Sequence, residues 1–304
     1  MKLLEKEAEN IGCKVIHDAD LKKYNTFRIG GKAALLIELA SLEACKKLIP
    51  LAEKENISYY IFGKGSNLIV DDKGIDGVVF HISSDEIKLL DETRVYCAAG
   101  VPLSKLCMFA LENGLSGLEF AYGIPGSVGG AVYMNAGAYG GEVKDVIESA
   151  EAIDTNGNSK RYSVDELEMS YRKSVFSGGK NVIVSAVFKL AKGERAEIKA
   201  KMDELMQKRR SKQPLEYPSA GSTFKRPEGS YASLLIEQCG LKGYSVGDAQ
   251  VSEKHSGFVV NKGNASFDDL MKLVCDVKKV VYDKTGYRLE CEPEIISDRE
   301  EYRR

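Results

Sequence analysis

The sequence predicts a globular protein of mixed helix and strand content, and three observations lead to that prediction. Of its 304 residues, 43% are hydrophobic and 29% are charged, which is too apolar for a disordered chain. Helical spacings and short apolar strand patterns alternate along the chain. Glycine is concentrated, since 14 of the 29 glycines lie between Gly63 and Gly141. One zone therefore needs unusual backbone freedom.

The pattern of apolar residues and of helix and turn signals predicts the order of the elements. Helices are expected from Ser41 onward and at 103–112, 195–210, 232–239 and 267–285, the last opened by a capping box of Ser266 and Asp269. Strands are expected at 57–62, 78–82, 95–99, 182–190, 257–260 and 288–296. The segments 148–154 and 160–163 flank Asn156-Gly157, which predicts a β-hairpin.

Charge and cysteine content exclude several classes of protein. The 43 basic and 45 acidic residues give a net charge of −2, so no overall field draws in nucleic acid or an anionic membrane. The 7 cysteines form no CxxC pair, and the 3 histidines show no metal spacing, so no metal is implied. The first ten residues contain no apolar signal segment, and a cytoplasmic protein is expected.

One uncharged stretch, 120–141, is long enough to span a bilayer. It contains 7 glycines together with Pro125 and Asn135, which makes it a poor membrane helix. Contact with a membrane is not expected.

The glycine-rich segments 63–67 and 123–141 do not match the common phosphate cradles. A dinucleotide fingerprint that starts at Gly63 needs glycine at position 68, where Leu68 stands, and the segment 30–33 (GGKA) lacks the Ser/Thr of a P-loop. The segments are expected either to close on one extended ligand or to serve as tight turns and close packing points.

Several longer motifs resemble the UDP-N-acetylenolpyruvoylglucosamine reductase family of flavoenzymes. They are NTFRIGG (25–31), GKGSNL (63–68), GIPGSVGGA (123–131), MNAGAYG (134–140), SYRKSVF (170–176), PSAGSTFK (218–225) and the closing segment 286–296. The resemblance covers about 25–296. Pro293, Ser297 and the charged tail 298–304 depart from the family pattern.

The resemblance implies an α+β protein with a vanillyl-alcohol-oxidase/PCMH-type FAD-binding fold and a C-terminal α+β substrate-binding domain. The expected division is FAD-binding subdomain 1 at 1–83, FAD-binding subdomain 2 at 84–192 and the substrate domain at 193–304. Whether the last strand and the tail belong to the substrate domain or pack back on subdomain 1 is left open. The short linker between Leu190 and Pro214 resembles the subtype without a tyrosine-bearing insert. A monomer is expected.

The resemblance also implies the reaction and its ligands. NADPH would reduce a non-covalently bound FAD, which would then reduce UDP-N-acetylglucosamine enolpyruvate to UDP-N-acetylmuramate for peptidoglycan synthesis. The cofactor-binding residues expected from the two glycine segments are Gly63, Lys64, Gly65, Ser66, Asn67, Leu68, Gly123, Ile124, Pro125, Gly126, Ser127, Gly129, Gly130, Asn135, Ala136 and Gly137.

Three side chains, those of Ser222, Arg172 and Glu292, are candidates for the chemistry. The resemblance implies that Ser222 is the proton donor, and its small hydroxyl next to Gly221 suits that role. From the sequence alone, a serine in such a loop is more often part of a turn or a helix cap. Arg172 offers a planar fork for the substrate carboxylate, or it is a solvated arginine. Tyr171 beside it is expected to bind substrate or to pack.

The third candidate, Glu292, is chosen by the resemblance alone. Glu290 and Glu294 share its strand parity, so the pattern does not choose among the three carboxyls. Lys225 and Arg210, the latter in the basic run 208–212, are expected either to meet the UDP diphosphate or to be solvated.

Two other functions remain open at this stage. One is an FAD-dependent oxidase of the same fold that acts on an alcohol or a sugar, against which the set of Ser222, Arg172 and Glu292 argues. The other is a non-catalytic nucleotide-binding module, for which the glycine loops alone would suffice.

Overall fold

The computed structural model describes residues 1–302 and has mixed helix and strand content. Within these residues the α-helices are α1 Lys2–Asn10, α2 Leu42–Lys54, α3 Leu103–Glu112, α4 Val128–Tyr133, α5 Arg195–Lys212, α6 Ala232–Gln238 and α7 Phe267–Thr285. The strands are β1 Val15–Asp20, β2 Lys32–Leu39, β3 Tyr59–Phe62, β4 Leu68–Val70, β5 Ile75–Ile82, β6 Ile87–Leu89, β7 Arg94–Ala98, β8 Leu115–Ser116, β9 Gly137–Ala138, β10 Gly141–Glu142, β11 Ile147–Ile153, β12 Ser159–Ser163, β13 Val182–Lys189, β14 Ala191–Lys192, β15 Ser245–Val246, β16 Ala249–Val251, β17 Val259–Asn261 and β18 Glu294–Ile296.

Two compact units, each built from separate chain segments, make up the described chain. Unit 1 comprises Met1–His17, Leu35–Lys64 and Gly77–Arg209, and unit 2 comprises Asp18–Ala34, Gly65–Asp76 and Arg210–Arg304. These boundaries differ from the three consecutive domains expected from the sequence, and that three-domain division stays a prediction. The α+β class is confirmed.

Unit 1 is organised around an antiparallel sheet in the order β12-β11-β13-β7-β6. It also contains most of a four-stranded sheet, β1-β2-β5-β3, in which β3 and β5 run parallel. Strand β13 is buried over seven of its eight residues, as expected for the central strand of the larger sheet. Helix α4 lies on this strand, so the sheet supports one of the glycine loops from below.

Unit 2 is built on α7 and on short extended segments. Strands β15, β16 and β17 form an antiparallel sheet, and β18 pairs in parallel with β4. Helix α7 begins at the capping box of Ser266 and Asp269 and ends at Gly286, whose φ of 76° closes the helix in the left-handed conformation. Its buried face forms the core of the unit with α6 and β16.

Most elements expected from the sequence are confirmed, including the bounds of α3 and α7 and the hairpin β11–β12. The closing strand is wrong in length, because it covers Glu294–Ile296 instead of 288–296. The buried Pro293 interrupts it, since proline has no N–H to donate to a neighbouring strand. The only α-helix within the uncharged run 120–141 is the six-residue α4, and the strands β9 and β10 have two residues each. No helix within 1–302 is long and apolar enough to cross a membrane.

The charged tail is tied to unit 2 by Arg299. Its Nη2 donates a hydrogen bond of 2.9 Å to Asp71 Oδ1, its Nη1 lies 2.6 Å from Asp268 Oδ1, and the guanidinium stacks on Phe267. The Ser297 hydroxyl also donates to Asp71, at 2.6 Å. Burial alone would raise the pKa of Asp71, but these donors and the Lys73 amide hold that pKa below its ordinary value. Arg303 and Arg304 of the expected tail lie outside the described residues.

The Arg299–Asp71 pair generates a stability prediction. We expect Arg299→Ala to lower the free energy of unfolding by about 1.5–3 kcal/mol at pH 7, since it leaves the buried carboxylate without its charged partner. Because the Asp71 pKa is depressed in the folded protein, the pair stabilises at neutral pH. Its contribution begins to fall near the ordinary value of 3.8 and is lost as pH falls through the lower pKa of the folded protein. Urea unfolding at pH 7 and near pH 2.5 measures both effects.

The exposed Arg288 provides the control, and Arg288→Ala should change the free energy by less than about 0.5 kcal/mol. A loss in Arg299→Ala that is equally large at both pH values would contradict the role given to Asp71.

Candidate functional site

In unit 1, the loop after β3 contacts the loop that leads into α4. A Cβ atom placed on Gly63 would lie 2.4 Å from the Ser127 Oγ, so only glycine fits at this contact. Ser127 is buried and caps α4, because its Oγ accepts a hydrogen bond from the Gly130 amide at 3.4 Å. The two glycine segments noticed in the sequence are therefore neighbours at Gly63 and Ser127.

The α4 loop is held on the rim of the large sheet by backbone hydrogen bonds. The Gly129 amide donates to Ala99 O at 2.8 Å, and the Leu103 amide donates to Gly126 O at 2.9 Å. A Cβ on Gly129 would lie 2.9 Å from the Ala99 Cβ, so this glycine is required by close packing. Gly130 is exposed and a Cβ there would meet nothing closer than 3.6 Å, so the protein itself does not require this glycine.

In unit 2, the remaining part of the first glycine segment packs on the motif 25–31. A Cβ on Gly65 would lie 2.1 Å from Tyr24 O, and the Thr26 amide donates to Gly65 O. The side-chain amide of the buried Asn25 donates to Leu21 O at 2.7 Å and to Ile29 O at 2.9 Å, which keeps this motif compact. The Thr26 hydroxyl donates to Ser219 O at 2.7 Å, so the same motif also holds the segment that leads to Ser222.

Ser222 and Glu292 lie on adjacent extended segments of unit 2. Ser222 pairs with Phe258, and the Thr223 amide donates to Gly257 O at 2.9 Å. On the other side, the Glu292 amide donates to Thr223 O at 2.9 Å. Both candidate residues are half-buried. The structure thus brings together the expected proton donor and the expected carboxyl within one hydrogen-bonded layer.

The Asn67 side chain extends this layer. The side-chain amide of Asn67 donates to Glu292 O at 3.3 Å, and the main-chain oxygen of Asn67 accepts from the Glu294 amide at 2.9 Å. An expected cofactor-loop residue therefore contacts the backbone that carries Glu292. Gly221 has a φ of 76° with open space around its Cβ position, so backbone conformation, not packing, requires glycine next to Ser222.

The three glutamates of the closing segment are distinguished by their surroundings. Glu290 is exposed, and its carboxylate lies 3.4 Å from the Lys225 Nζ, whereas Glu292 and Glu294 are half-buried. Lys225, expected either to meet the diphosphate or to be solvated, is thus paired with a solvated carboxylate. Arg210 is exposed, and its carbonyl oxygen accepts a hydrogen bond of 2.8 Å from Lys254.

Arg172 lies in unit 1, at a tight turn. The Ser170 and Lys173 main chains exchange hydrogen bonds of 3.0 and 3.2 Å, and Arg172 has a φ of 55°, a conformation that non-glycine residues seldom adopt. Its guanidinium stacks at 5.0 Å on the exposed Tyr171 ring, and Nη2 reaches Gly137 O at 3.4 Å. The turn holds the arginine in a fixed, strained backbone conformation, as binding sites often do.

Arg209 belongs to the basic run 208–212, from which only its neighbour Arg210 was selected as a site residue. Arg209 is 9% exposed, and a Cβ on Gly123 would lie 2.9 Å from its Cδ. Burial lowers the pKa of Arg209, yet a guanidinium stays charged at neutral pH. The spacing of Ile198, Met202, Leu205 and Arg209 along α5 places all four on the buried face, and this signal could have identified it.

These features fit a nucleotide cofactor that is bound through the backbone. The close-packed glycines leave the main chain of these loops without covering side chains, and the buried Arg209 beside Gly123 supplies positive charge for a pyrophosphate. The described residues contain no cluster of metal-ligating side chains. The class defined by this fold and these loops is a flavin-binding α+β protein, and residues 33–163 match the family model of an FAD binding domain.

Comparison with known proteins specifies the family. Residues 213–296 match the C-terminal domain of UDP-N-acetylenolpyruvoylglucosamine reductase. Proteins of that name from Clostridium novyi and from Caldanaerobacter subterraneus are 49% and 46% identical, over 92% and 94% of this chain and 92% and 95% of their own. The crystal structure of the Thermus caldophilus reductase matches with a TM-score of 0.79 and 35% identity, over 94% of this chain and 99% of that one. The chain belongs to the UDP-N-acetylenolpyruvoylglucosamine reductase family.

The open position at Gly130 provides a test of the α4 loop. Gly130→Ala should leave the free energy of unfolding of the FAD-free protein unchanged or raise it by up to about 1 kcal/mol, because alanine favours the helix. The same change should weaken FAD binding about tenfold, since a methyl group would obstruct the approach of the pyrophosphate. Titration of the stripped protein with FAD measures this affinity.

Gly179→Ala is the matched control, because Gly179 is also exposed and its Cβ would meet nothing closer than 3.5 Å. Equal FAD affinity in both variants and the parent protein would rule out a cofactor role for Gly130.

Proposed function

We propose that the protein catalyses the NADPH-dependent reduction of UDP-N-acetylglucosamine enolpyruvate to UDP-N-acetylmuramate, a step that supplies peptidoglycan precursors. The observation that carries the proposal is the hydrogen-bonded layer of Ser222, Glu292 and Asn67 in a chain that belongs to this reductase family. The substrate is a small molecule, and we infer that the protein acts in the cytoplasm as a monomer.

The reaction sets three chemical requirements. A hydride must add to the terminal carbon of the enolpyruvyl group, and a proton must add to the carbon that bears the ether oxygen and the carboxylate. FAD, when bound, supplies the hydride that originates from NADPH. The protein must orient the substrate carboxylate, stabilise negative charge that develops on it and deliver the proton.

We assign delivery of the proton to the Ser222 hydroxyl. The neighbouring Thr223 is buried, and its Oγ1 accepts a hydrogen bond from the Val259 amide at 2.9 Å, so the backbone at this position is held rigidly. The left-handed Gly221 on the other side turns the chain immediately before the serine. A hydroxyl on so constrained a backbone can be kept at one distance from the reacting carbon, which proton transfer requires.

We assign to Arg172 and Glu292 the stabilisation of the negative charge that develops on the substrate. The planar guanidinium of Arg172 can hold a carboxylate through two parallel hydrogen bonds, which strengthen as negative charge accumulates. Glu292 shares the hydrogen-bonded layer of Ser222 and is the carboxyl proposed to hydrogen-bond the enol-like intermediate. We propose further that Arg209 supplies positive charge beside the cofactor loop at Gly123.

Two half-reactions separate this function from the alternatives. In anaerobic stopped-flow measurements, NADPH should bleach the bound flavin, and UDP-N-acetylglucosamine enolpyruvate should restore its colour. Ser222→Ala should slow the second step by about 100-fold or more, because it removes the proton donor, and should leave the first step within about twofold.

Ser219→Ala is the control, since Ser219 lies in the same loop and contacts Thr26 through its main-chain oxygen only. If Ser222→Ala restored the colour at the parent rate, the proton-donor assignment would be wrong. Bleaching of the flavin by an alcohol or a sugar, followed by restoration of its colour by oxygen, would indicate the oxidase. A protein that takes up no FAD would indicate the nucleotide-binding module.

A further inference from the structure

Asn135, which the sequence suggested as a cofactor contact, has a side chain fully engaged within unit 1. The residue is 0% exposed. Its amide nitrogen donates to Glu142 Oε2 and to Ser170 O, both at 3.0 Å, and its side-chain oxygen accepts from the Lys144 amide at 3.0 Å. Both amide hydrogens and one acceptor site are thereby used. This side chain is therefore a structural link between two loops.

One end of the link is a hairpin that the sequence analysis did not identify. Strands β9 and β10 pair Gly137 with Glu142, and the two central residues, Tyr139 and Gly140, have φ values of 53° and 91°, as a tight two-residue turn requires. The Lys144 Nζ lies 2.7 Å from Glu142 Oε2. Hydrogen bonding by Lys144 is the main cause that lowers the pKa of Glu142, so the hairpin presents an ionised carboxylate to Asn135.

The other end of the link is the turn that carries Arg172. Ser170 O, which accepts from Asn135, belongs to the residue that opens this turn, and Arg172 itself reaches back to Gly137 O in the hairpin. Arg172 has a φ of 55°, so the surrounding contacts must hold the turn in a conformation that arginine does not favour. Asn135 makes one of those contacts from a fully buried position.

We propose that Asn135, anchored by Glu142, is a positioning residue that fixes the Ser170–Lys173 turn and thereby directs the Arg172 guanidinium at the substrate carboxylate. This inference rests on the proposed function, because it takes Arg172 as the carboxylate ligand. In this proposal the Asn135 side chain serves binding of the substrate and does not contact the cofactor.

Binding of two ligands tests the proposal without turnover. UDP-N-acetylmuramate carries the carboxylate, and UDP-N-acetylglucosamine lacks it. By calorimetry on the FAD-loaded protein, Asn135→Gly should weaken binding of the first ligand about tenfold and of the second less than twofold. Glycine is chosen because Asn135 has a φ of 42°, which glycine adopts without strain.

A mutant cycle shows whether Asn135 acts through Arg172. Arg172→Ala should weaken binding of UDP-N-acetylmuramate by more than about tenfold, and Asn135→Gly should add less than about twofold in that background. Glu142→Ala should reproduce the Asn135→Gly loss, whereas Glu142→Gln, which keeps an acceptor oxygen, should recover most of it. Asp145→Asn is the control, because Asp145 accepts from the Glu142 main chain and makes no contact with the Asn135 side chain.

The outcomes separate this proposal from the proposed function. Full affinity for UDP-N-acetylmuramate in Asn135→Gly, with a large loss in Arg172→Ala, would overturn the positioning role and leave the function standing. If Arg172→Ala bound UDP-N-acetylmuramate as tightly as the parent protein, the assignment of Arg172 as the carboxylate ligand in the proposed function would be wrong. Loss of bound FAD, or an equal loss for both ligands in Asn135→Gly, would show that Asn135 supports the cofactor or the fold instead.

Discussion

The hydrogen bonds that join three extended segments of unit 2 are the constraint on which its candidate chemistry depends. The segment of Ser222 receives the Glu292 amide on one side and pairs with Phe258 on the other, and Asn67 contacts the main chain at Glu292. None of these segments is a long strand, so their register depends on single hydrogen bonds and on the buried Thr223. Because unsatisfied buried donors cost about 1–3 kcal/mol each, this small layer has few alternative arrangements.

Glycine serves two physical purposes in this chain, and the structure separates them. At Gly63 and Gly65 a side chain would collide with neighbouring atoms, so the loops are packed more closely than any other residue allows. At Gly221 there is open space, and the positive φ alone requires glycine. The concentration of glycine was expected to serve either a ligand or close packing, and at Gly63, Gly65 and Gly129 close packing accounts for it. Neither close packing nor a positive φ requires glycine at position 130.

The sequence predicted elements well wherever periodicity was strong and poorly wherever loops define the structure. Helices α3 and α7 carry apolar stripes at helical spacing, and α7 also has a capping box, so their bounds followed from local pattern. The hairpin at Gly137–Glu142 was missed because its strands have two residues each and no alternation to detect. The motifs identified Ser222, Arg172 and Glu292 as candidates. The helical spacing along α5 could have indicated the burial of Arg209. The contact of Asn135 with Ser170 joins two loops that lie 35 residues apart in the chain, and local patterns do not encode it.

Buried asparagines are the common device behind these loops. Asn25, Asn135 and Asn261 are each less than 10% exposed, and the side chain of each hydrogen-bonds main-chain atoms of a loop. Asn261, for example, donates to Phe27 O and accepts from the Gly263 and Ala265 amides at 3.0 Å. An asparagine side chain offers donors and an acceptor on a short, rigid stem, so it can satisfy several backbone groups at once with little loss of side-chain entropy. Such a residue fixes a loop more firmly than apolar packing does, because displacement would leave several polar groups buried without partners. For this reason the turn of Arg172 can keep a strained backbone outside regular secondary structure, and the Asn135 side chain is a more effective place to perturb that arginine than the exposed Tyr171 against which it stacks.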